Sequence, residues 1–350
     1  MGATRRFEIE VLDGVGPFLL DELAGRPGIE LVDAWPTAIR VEGDGSAFST
    51  LTRLRTAVAV FLVSHFDIAR PKALLGDQNA RCLGEAIDDV RARSSASFSS
   101  FRLNAAGRDS SVFVRLAGEL ETRTGLVHDA EDGDLVIRVR PSQVEASGWD
   151  VLLRTTPRPL SARPWRVANY RGALNATIAA AMVELSQPTP DDRVFNPMCG
   201  SGTLLIERLA RNTPRRICGC DIDATALDAT TENLAATTFA SRVRDAVELS
   251  SDDATSMPHV PDDTFDRVLV DLPWGTLVGN HEDNASMYPA FLDELARVTT
   301  SDARAVALTH EIKLFERLLD GHPEWTVAEQ HRFFQKGHHP RAFVLERTGS

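Results

Sequence analysis

Apolar and polar residues alternate from Phe7 to Leu12, the two-residue period of a half-buried strand. Gly14 and Gly16-Pro17 break the run. Phe18 to Ala24 then carries Leu19, Leu20 and Leu23 at helical spacing. Ile29 to Val32 and Ala38 to Val41 predict a strand pair, Ser46 to Leu54 a second helix, and Ala57 to Phe66 a closing strand. The order β-α-β-β-α-β is ferredoxin-like, an arrangement that hosts many functions and names none. A second α+β segment begins at Pro71. Leu83 to Val90 and Arg115 to Thr124 have helical periodicity; Ser99 to Asn104, Leu135 to Val139 and Trp149 to Thr155 read as strands.

Pro157, Pro159 and Pro164 mark a linker, because each fixes its own φ and restricts the residue before it. Ala173 to Ser186 is predicted as a helix with Leu174, Ile178, Ala181, Met182 and Leu185 on its apolar side. Strands and helices then alternate to the end. Val194-Phe195, Ile217 to Asp223, Phe265 to Asp271 and Ala303 to Leu308 are strand-like. Thr203 onward, Asp223 to Leu234, Tyr288 to Val298 and Ile312 to Leu319 are helical, and Trp325 to Phe333 with Arg341 to Glu346 forms a closing pair. Such alternation implies a mostly parallel, doubly wound α/β sheet with an antiparallel last strand. The expected divisions are residues 1–69, 70–160 and 161–350, the last opening with a linker over 161–172.

Composition refines this only in places. A hydrophobic fraction of 43% is ample for real cores. The four cysteines include Cys218 and Cys220, two apart on a predicted strand and without a second pair at zinc spacing, so reduced thiols and no metal are expected. The N-terminus lacks the apolar core of a signal peptide. The longest apolar run, Ala57 to Val63, is too short to span a bilayer, so a cytoplasmic protein with no membrane partner is expected. A net charge of −12 argues against general nucleic-acid binding. From Arg138 to Arg171, however, seven arginines face two acids. Such a stripe serves either as a phosphate-binding strip or as a solvated linker surface, and charge alone does not separate the two.

The chemistry concentrates in Asn196-Pro197-Met198-Cys199-Gly200-Ser201-Gly202-Thr203, between a buried strand and a helix. Gly200 and Gly202 let the backbone bend sharply and lie close to a ligand, and the helix N-terminus offers free N–H groups. Asp221 ends the next strand, where an acid suits the two hydroxyls of a ribose. Asp253-Ala254 follows a third apolar stretch, and a fourth strand runs into Asp271-Leu272-Pro273-Trp274. The first loop does not have the Gly-x-Gly-x-x-Gly order of a dinucleotide site.

This set resembles the class I methyltransferases that use S-adenosyl-L-methionine. More narrowly, it resembles the THUMP-domain RNA methyltransferases that act on the exocyclic N2 of guanine. There the first loop reads like Asp-Pro-Met-Cys-Gly-Ser-Gly-Thr and the fourth strand ends in Asn/Asp-x-Pro-aromatic. Residues 73–161 resemble a THUMP module, which binds RNA, typically the acceptor end of tRNA. The resemblance implies a Rossmann-like methyltransferase domain behind ferredoxin-like and THUMP-like domains, with tRNA as the partner. It also implies roles. Asn196 to Thr203 would hold the methionyl portion of the cofactor, Asp221 the ribose, Ile222 the adenine face, and Asp253 with Ala254 the adenine amino side. Asp271 and the Leu272 carbonyl would accept both N–H bonds of the target amine, Pro273 would stiffen the turn, and Trp274 would stack on a flipped base.

Asn196 stands where the family has an acid. Three readings remain open: N2-methylation of guanosine in tRNA, an rRNA or adenine-N6 enzyme with the same machinery, and a catalytically weak RNA-binding scaffold. His338 and His339 share a loop with Lys336 and Arg341, which reads as solvated surface or as a phosphate contact. His310, just past the fifth strand of the sheet, has no assigned role. Oligomeric state is not readable from the sequence.

Overall fold

The computed structural model describes residues 4–243, 246–274, 281–335 and 337–348. The chain divides into two compact units: Leu19–Ser161 with the N-terminal residues through Val11, and Ala162–Ser350 with Leu12–Phe18.

The first unit contains β1 (Arg5–Glu10), α1 (Gly16–Leu23, which crosses the division), β2 (Ile29–Trp35), β3 (Ala38–Gly43), α2 (Ala47–Leu51) and β4 (Ala59–Phe66). A 3₁₀ turn at Pro71–Leu75 leads to α3 (Asp77–Arg93), β5 (Ser100–Ala105), α4 (Ser111–Thr124), β6 (Val127–His128), β7 (Leu135–Pro141) and β8 (Trp149–Arg154). The first segment has the expected β-α-β-β-α-β order. Both segments feed one eight-stranded sheet, ordered β2-β3-β1-β4-β8-β7-β5-β6, because β4 pairs antiparallel with β8 from Phe61↔Arg154 to Phe66↔Trp149. The faces of these two strands are apolar at the seam: Phe61, Val63, Val136 and Leu152 form one cluster. α3 starts a turn and a half before Leu83, because its first turn, Asp77-Gln78-Asn79, is polar and carries no apolar period.

The second unit contains α5 (Ala176–Leu185), β9 (Arg193–Asn196), α6 (Thr203–Arg211), β10 (Arg216–Asp221), α7 (Ala224–Ala235), α8 (Ala240–Val243) and β11 (Val247–Ser251). Then follow β12 (Phe265–Asp271), α9 (His281–Val298), β13 (Thr299–Thr309), α10 (Ile312–Leu319), β14 (Trp325–Arg332) and β15 (Arg341–Arg347). The sheet order is β11-β10-β9-β12-β13-β15-β14; β9 to β13 run parallel and β15 runs antiparallel to both its neighbours. This is the doubly wound α/β sheet with an antiparallel last strand that the alternation implied. Its core packs Phe195 against Phe265, rings stacked at 4.5 Å, with α9 covering that face through Tyr288, Phe291, Leu292 and Leu295. β13 begins four residues before Ala303, since Thr299 to Asp302 extend the strand with polar residues that break the apolar run.

The arginine-rich stretch is not a continuous free strip. Arg138 pairs with Glu10 at 3.4 Å and lies over the Phe61 ring, and Arg140 pairs with Glu8. Arg154 donates to the carbonyls of Asp134 and Pro157, Arg163 pairs with Glu207 at 2.9 Å, and Arg166 donates to Leu174 O at 2.8 Å and to Thr203 Oγ1 at 2.9 Å. Five of the seven guanidinium groups are therefore spent on internal bonds, leaving Arg158 and Arg171 exposed. Among the described residues no helix is long and apolar enough to cross a membrane.

Candidate active site

β9 and β12 are hydrogen-bonded neighbours, in register at Arg267↔Val194 and Val268↔Phe195. From β9 the chain winds outward to β10 and β11; from β12 it winds the other way, to β13. This is the topological switch point, where the loops leaving the strands' carboxyl ends diverge and open a crevice. The loop after β9 is Pro197–Gly202, and the one after β12 starts at Leu272. A cavity lies between them. Of the residues singled out from sequence, Met198, Cys199, Gly200, Ser201, Thr203, Asp221, Ile222, Asp271, Leu272, Pro273 and Trp274 line it. Asn196, which ends β9, and Pro197 and Gly202, the first and last residues of the loop, do not line the cavity; neither do Asp253 and Ala254. Asp253 is exposed, with Oδ1 accepting from Thr255 N at 2.9 Å and Thr255 Oγ1 at 2.7 Å, and Ala254 is buried in the core.

The first loop is held from several sides. Cys199 N donates to Cys220 O at 2.8 Å, Thr230 Oγ1 donates to Gly200 O at 2.7 Å, and Gly200 N donates to Asp221 Oδ2 at 2.8 Å. The other oxygen of Asp221 accepts from Asp223 N at 3.0 Å. Asp221 thus ties the loop to the end of β10, while each carboxylate oxygen keeps a further lone pair for a ligand. Ile222, next to it, is 73% exposed on the cavity wall, an apolar face turned to solvent. Burial pushes the Cys199 thiol up to about 12, which favours its protonated form at neutral pH.

Several buried polar atoms here have no partner: Asn196 Oδ1 and Nδ2, Ser201 Oγ and Asp271 Oδ1. Each costs on the order of 1–3 kcal/mol unless something satisfies it, and two of them, Ser201 Oγ and Asp271 Oδ1, belong to residues that line the cavity, which fits a polar ligand there. Asp271 is the sharpest case. The residue keeps some solvent contact, but Oδ1 is covered, and desolvation raises its pKa to about 7. A carboxylate poised near neutrality in a crevice suits proton transfer.

That shift has a consequence for stability. Between the ordinary value of 3.8 and about 7 the folded protein holds a proton that the unfolded chain has released. Stability due to this group therefore falls as pH rises through that window. Asp271→Asn removes the penalty. The variant is expected to be more stable than the native protein at pH 8, by on the order of 1–3 kcal/mol, and the difference should vanish near pH 4. Thermal unfolding at the two pH values checks this.

Residues 163–341, just over half of the chain, match the RMKL-like methyltransferase domain family. The chain belongs to that family. Among curated relatives of this methyltransferase-domain chain is the human "tRNA (guanine(6)-N(2))-methyltransferase THUMP3", 30% identical over 42% of this chain and 31% of that protein. Another is the Thermus thermophilus "tRNA (guanine(6)-N2)-methyltransferase", 28% identical over 71% of this chain and 72% of that protein. The chain spans between about a third and a half of the length of the first relatives it matches. The crystal structure of TrmN from Thermus thermophilus shares the fold over 98% of this chain and 99% of that one, with a TM-score of 0.73 at 24% identity.

Three contributors in this RMKL-like domain carry no motif. Asn233, on α7, accepts from Val167 N and Ala168 N at 2.9 Å each and donates to Ser201 O at 3.1 Å, so one buried amide joins the segment before α5 to the glycine loop. Tyr170 lines the cavity and donates to Asp223 Oδ2 at 2.9 Å; burial and that carboxylate push its hydroxyl up to about 12. Tyr288, fully buried on α9, donates to Pro273 O at 2.8 Å and lies 3.0 Å from Thr309 Oγ1. A helical residue aimed at a loop carbonyl leaves no periodic signature, so only the fold reveals it.

His310, unassigned from sequence, and His338, read there as solvated surface or a phosphate contact, lie against Trp274. Arg341 is paired with Glu316 at 2.7 Å, and Lys336 lies outside the described residues. Asp293, His322 and Glu324 are near enough to one another to hold an ion, but Asp293 is exposed and none of the three lines the cavity.

Proposed function

We propose that this protein is an S-adenosylmethionine-dependent RNA methyltransferase that modifies the exocyclic N2 of a guanosine in tRNA, in the cytoplasm where tRNA is processed. The observation that carries this is Asp271-Leu272-Pro273-Trp274 at the switch point, facing the glycine loop across one cavity with Asp271 Oδ1 unpartnered. The names of the curated relatives support tRNA and the guanine N2 position.

When bound, S-adenosylmethionine supplies a methyl group made electrophilic by a sulfonium sulfur. The loop from Asn196 to Thr203 takes the methionyl portion, and Asn196 offers an amide where the resembled family offers an acid. Asp221 would accept from the ribose hydroxyls and Ile222 would lie on the adenine face. Asp253 and Ala254 would complete the set on the adenine amino side, next to the cavity wall that Asp221 and Ile222 line. An exocyclic amine is a poor nucleophile while its lone pair is delocalised into the ring. Asp271 and the Leu272 carbonyl accept its two N–H bonds and turn the lone pair out of the ring plane, and Asp271 takes up the proton that the amine sheds. Trp274 provides the stacking face.

We further propose the division at residues 1–69, 70–160 and 161–350, with the first two parts as the RNA platform. Calorimetry tests the cofactor half. The native protein should bind S-adenosylmethionine, and Asp221→Ala should lose on the order of 1.5–3 kcal/mol, the scale of charge-assisted hydrogen bonds plus the anchor of Gly200 N. Absence of binding by the native protein would remove the assignment.

A further inference from the structure

Trp274 is not a free-standing ring. The His310 imidazole stacks on it, with centroids 3.6 Å apart and planes 23° from parallel. His338, exposed in the turn between β14 and β15, tilts against both, 5.3 Å from Trp274 and 5.5 Å from His310. Trp274 lines the cavity and His310 does not. The imidazole covers one face of the indole, and of the two residues only Trp274 is on the cavity wall.

The backbone beneath this stack is tied together. Leu272 N donates to Leu308 O at 2.9 Å, continuing the pairing of β12 with β13 past Asp271↔Leu308. The Tyr288 hydroxyl then bridges Pro273 O and Thr309 Oγ1, at 2.8 and 3.0 Å. Those are the residues immediately before Trp274 and His310. One buried phenol thus sets the spacing of the two ring-bearing positions. Burial, with His338 adding to it, lowers the His310 pKa to about 4, so the imidazole meets the indole uncharged across the physiological range.

We propose that His310 is a positioning residue: it backs Trp274 from behind and fixes the indole as a rigid platform for the base being modified. The idea rests on the reading above, in which Trp274 stacks on that base. Without the backing ring the indole gains rotamer freedom, and the target amine is no longer held in line. A misplacement of that kind acts on turnover rather than on cofactor binding.

The test uses the full chain and three variants. His310→Ala should lower kcat for methyl transfer to unmodified tRNA by on the order of tenfold, with cofactor affinity unchanged. His310→Phe, which restores a flat ring, should recover most of the loss. In a Trp274→Ala background, His310→Ala should cost nothing further, because the effect runs through the indole. Native turnover in His310→Ala, or losses that simply add in the double variant, would overturn the proposal. A second readout needs no substrate. His310→Ala should shift the tryptophan emission, and the shift should disappear in a Trp274→Phe background. An unchanged emission spectrum would overturn the proposal on its own. If instead the native protein transfers no methyl group to RNA while the emission shift is present, the backing of Trp274 stands and the assigned reaction fails.

Discussion

Replacing Asp271 with alanine is expected to lower methyl transfer to tRNA by about 100-fold or more, the scale of one positioned catalytic group. The carboxylate ends β12 at the switch point, lines the cavity and has an oxygen with no partner. In the proposed mechanism its removal deletes one of two acceptors for the target amine and the group that takes up the proton. Cofactor affinity should change little, because Asp221, Ile222 and the glycine loop belong to other strands. Asp271→Asn keeps an acceptor oxygen and should retain more activity than alanine, while losing the acid limb expected of the native protein as pH falls through about 7. Tritiated methyl transfer across a pH series, with calorimetric cofactor binding alongside, measures both. Equal activity in Asp271→Ala and the native protein would remove Asp271 from the chemistry.

Gly202→Val is expected to abolish measurable cofactor binding and to lower the melting temperature. Gly202 caps α6 at φ +78°, a left-handed conformation that costs an ordinary residue about 1–2 kcal/mol and a β-branched one more. A Cβ there would also lie 2.8 Å from Thr230 Cγ2, and Thr230 is the residue whose hydroxyl holds Gly200 O. Relieving the clash displaces the Thr230 side chain that holds Gly200 O, so the strain is expected to reach Gly200 on the cavity wall. Calorimetry with S-adenosylmethionine and a thermal scan check the two effects; native affinity in Gly202→Val would show that the loop does not need this conformation.

What could be read from sequence here follows from the range of each interaction. The glycine loop, Asp221 and Asp271 each end a strand with a strong apolar run, and strand alternation is a local signal. The helix that starts at Asp223, its N-cap, and the one at Ile312–Leu319 were legible for the same reason. The fate of the arginines was not. Arg138 and Glu10 lie 128 positions apart in sequence, and charge counted along the chain cannot tell a guanidinium bound to a distant strand from one facing solvent. The joining of both N-terminal segments in one sheet was likewise hidden, because the β4–β8 pairing is set by two apolar faces meeting rather than by any turn motif. His310 gave no signal because its partner ring comes from a different strand end. Asp253 follows β11 as read from sequence, but that its Oδ1 would accept from Thr255 N and Oγ1 was not legible, because a side chain turned back on its own loop leaves no periodic signal.

The most direct measurement is nucleoside analysis of tRNA lacking its native modifications after incubation with the full chain and S-adenosylmethionine, run in parallel with Asp271→Ala. The expected result is N2-methylguanosine with the native protein and little or none with the variant. N6-methyladenosine in its place would keep the chemistry of Asp271 and overturn the base. No methylated nucleoside from a native protein that binds both tRNA and S-adenosylmethionine would contradict the assignment as an enzyme and favour an RNA-binding scaffold.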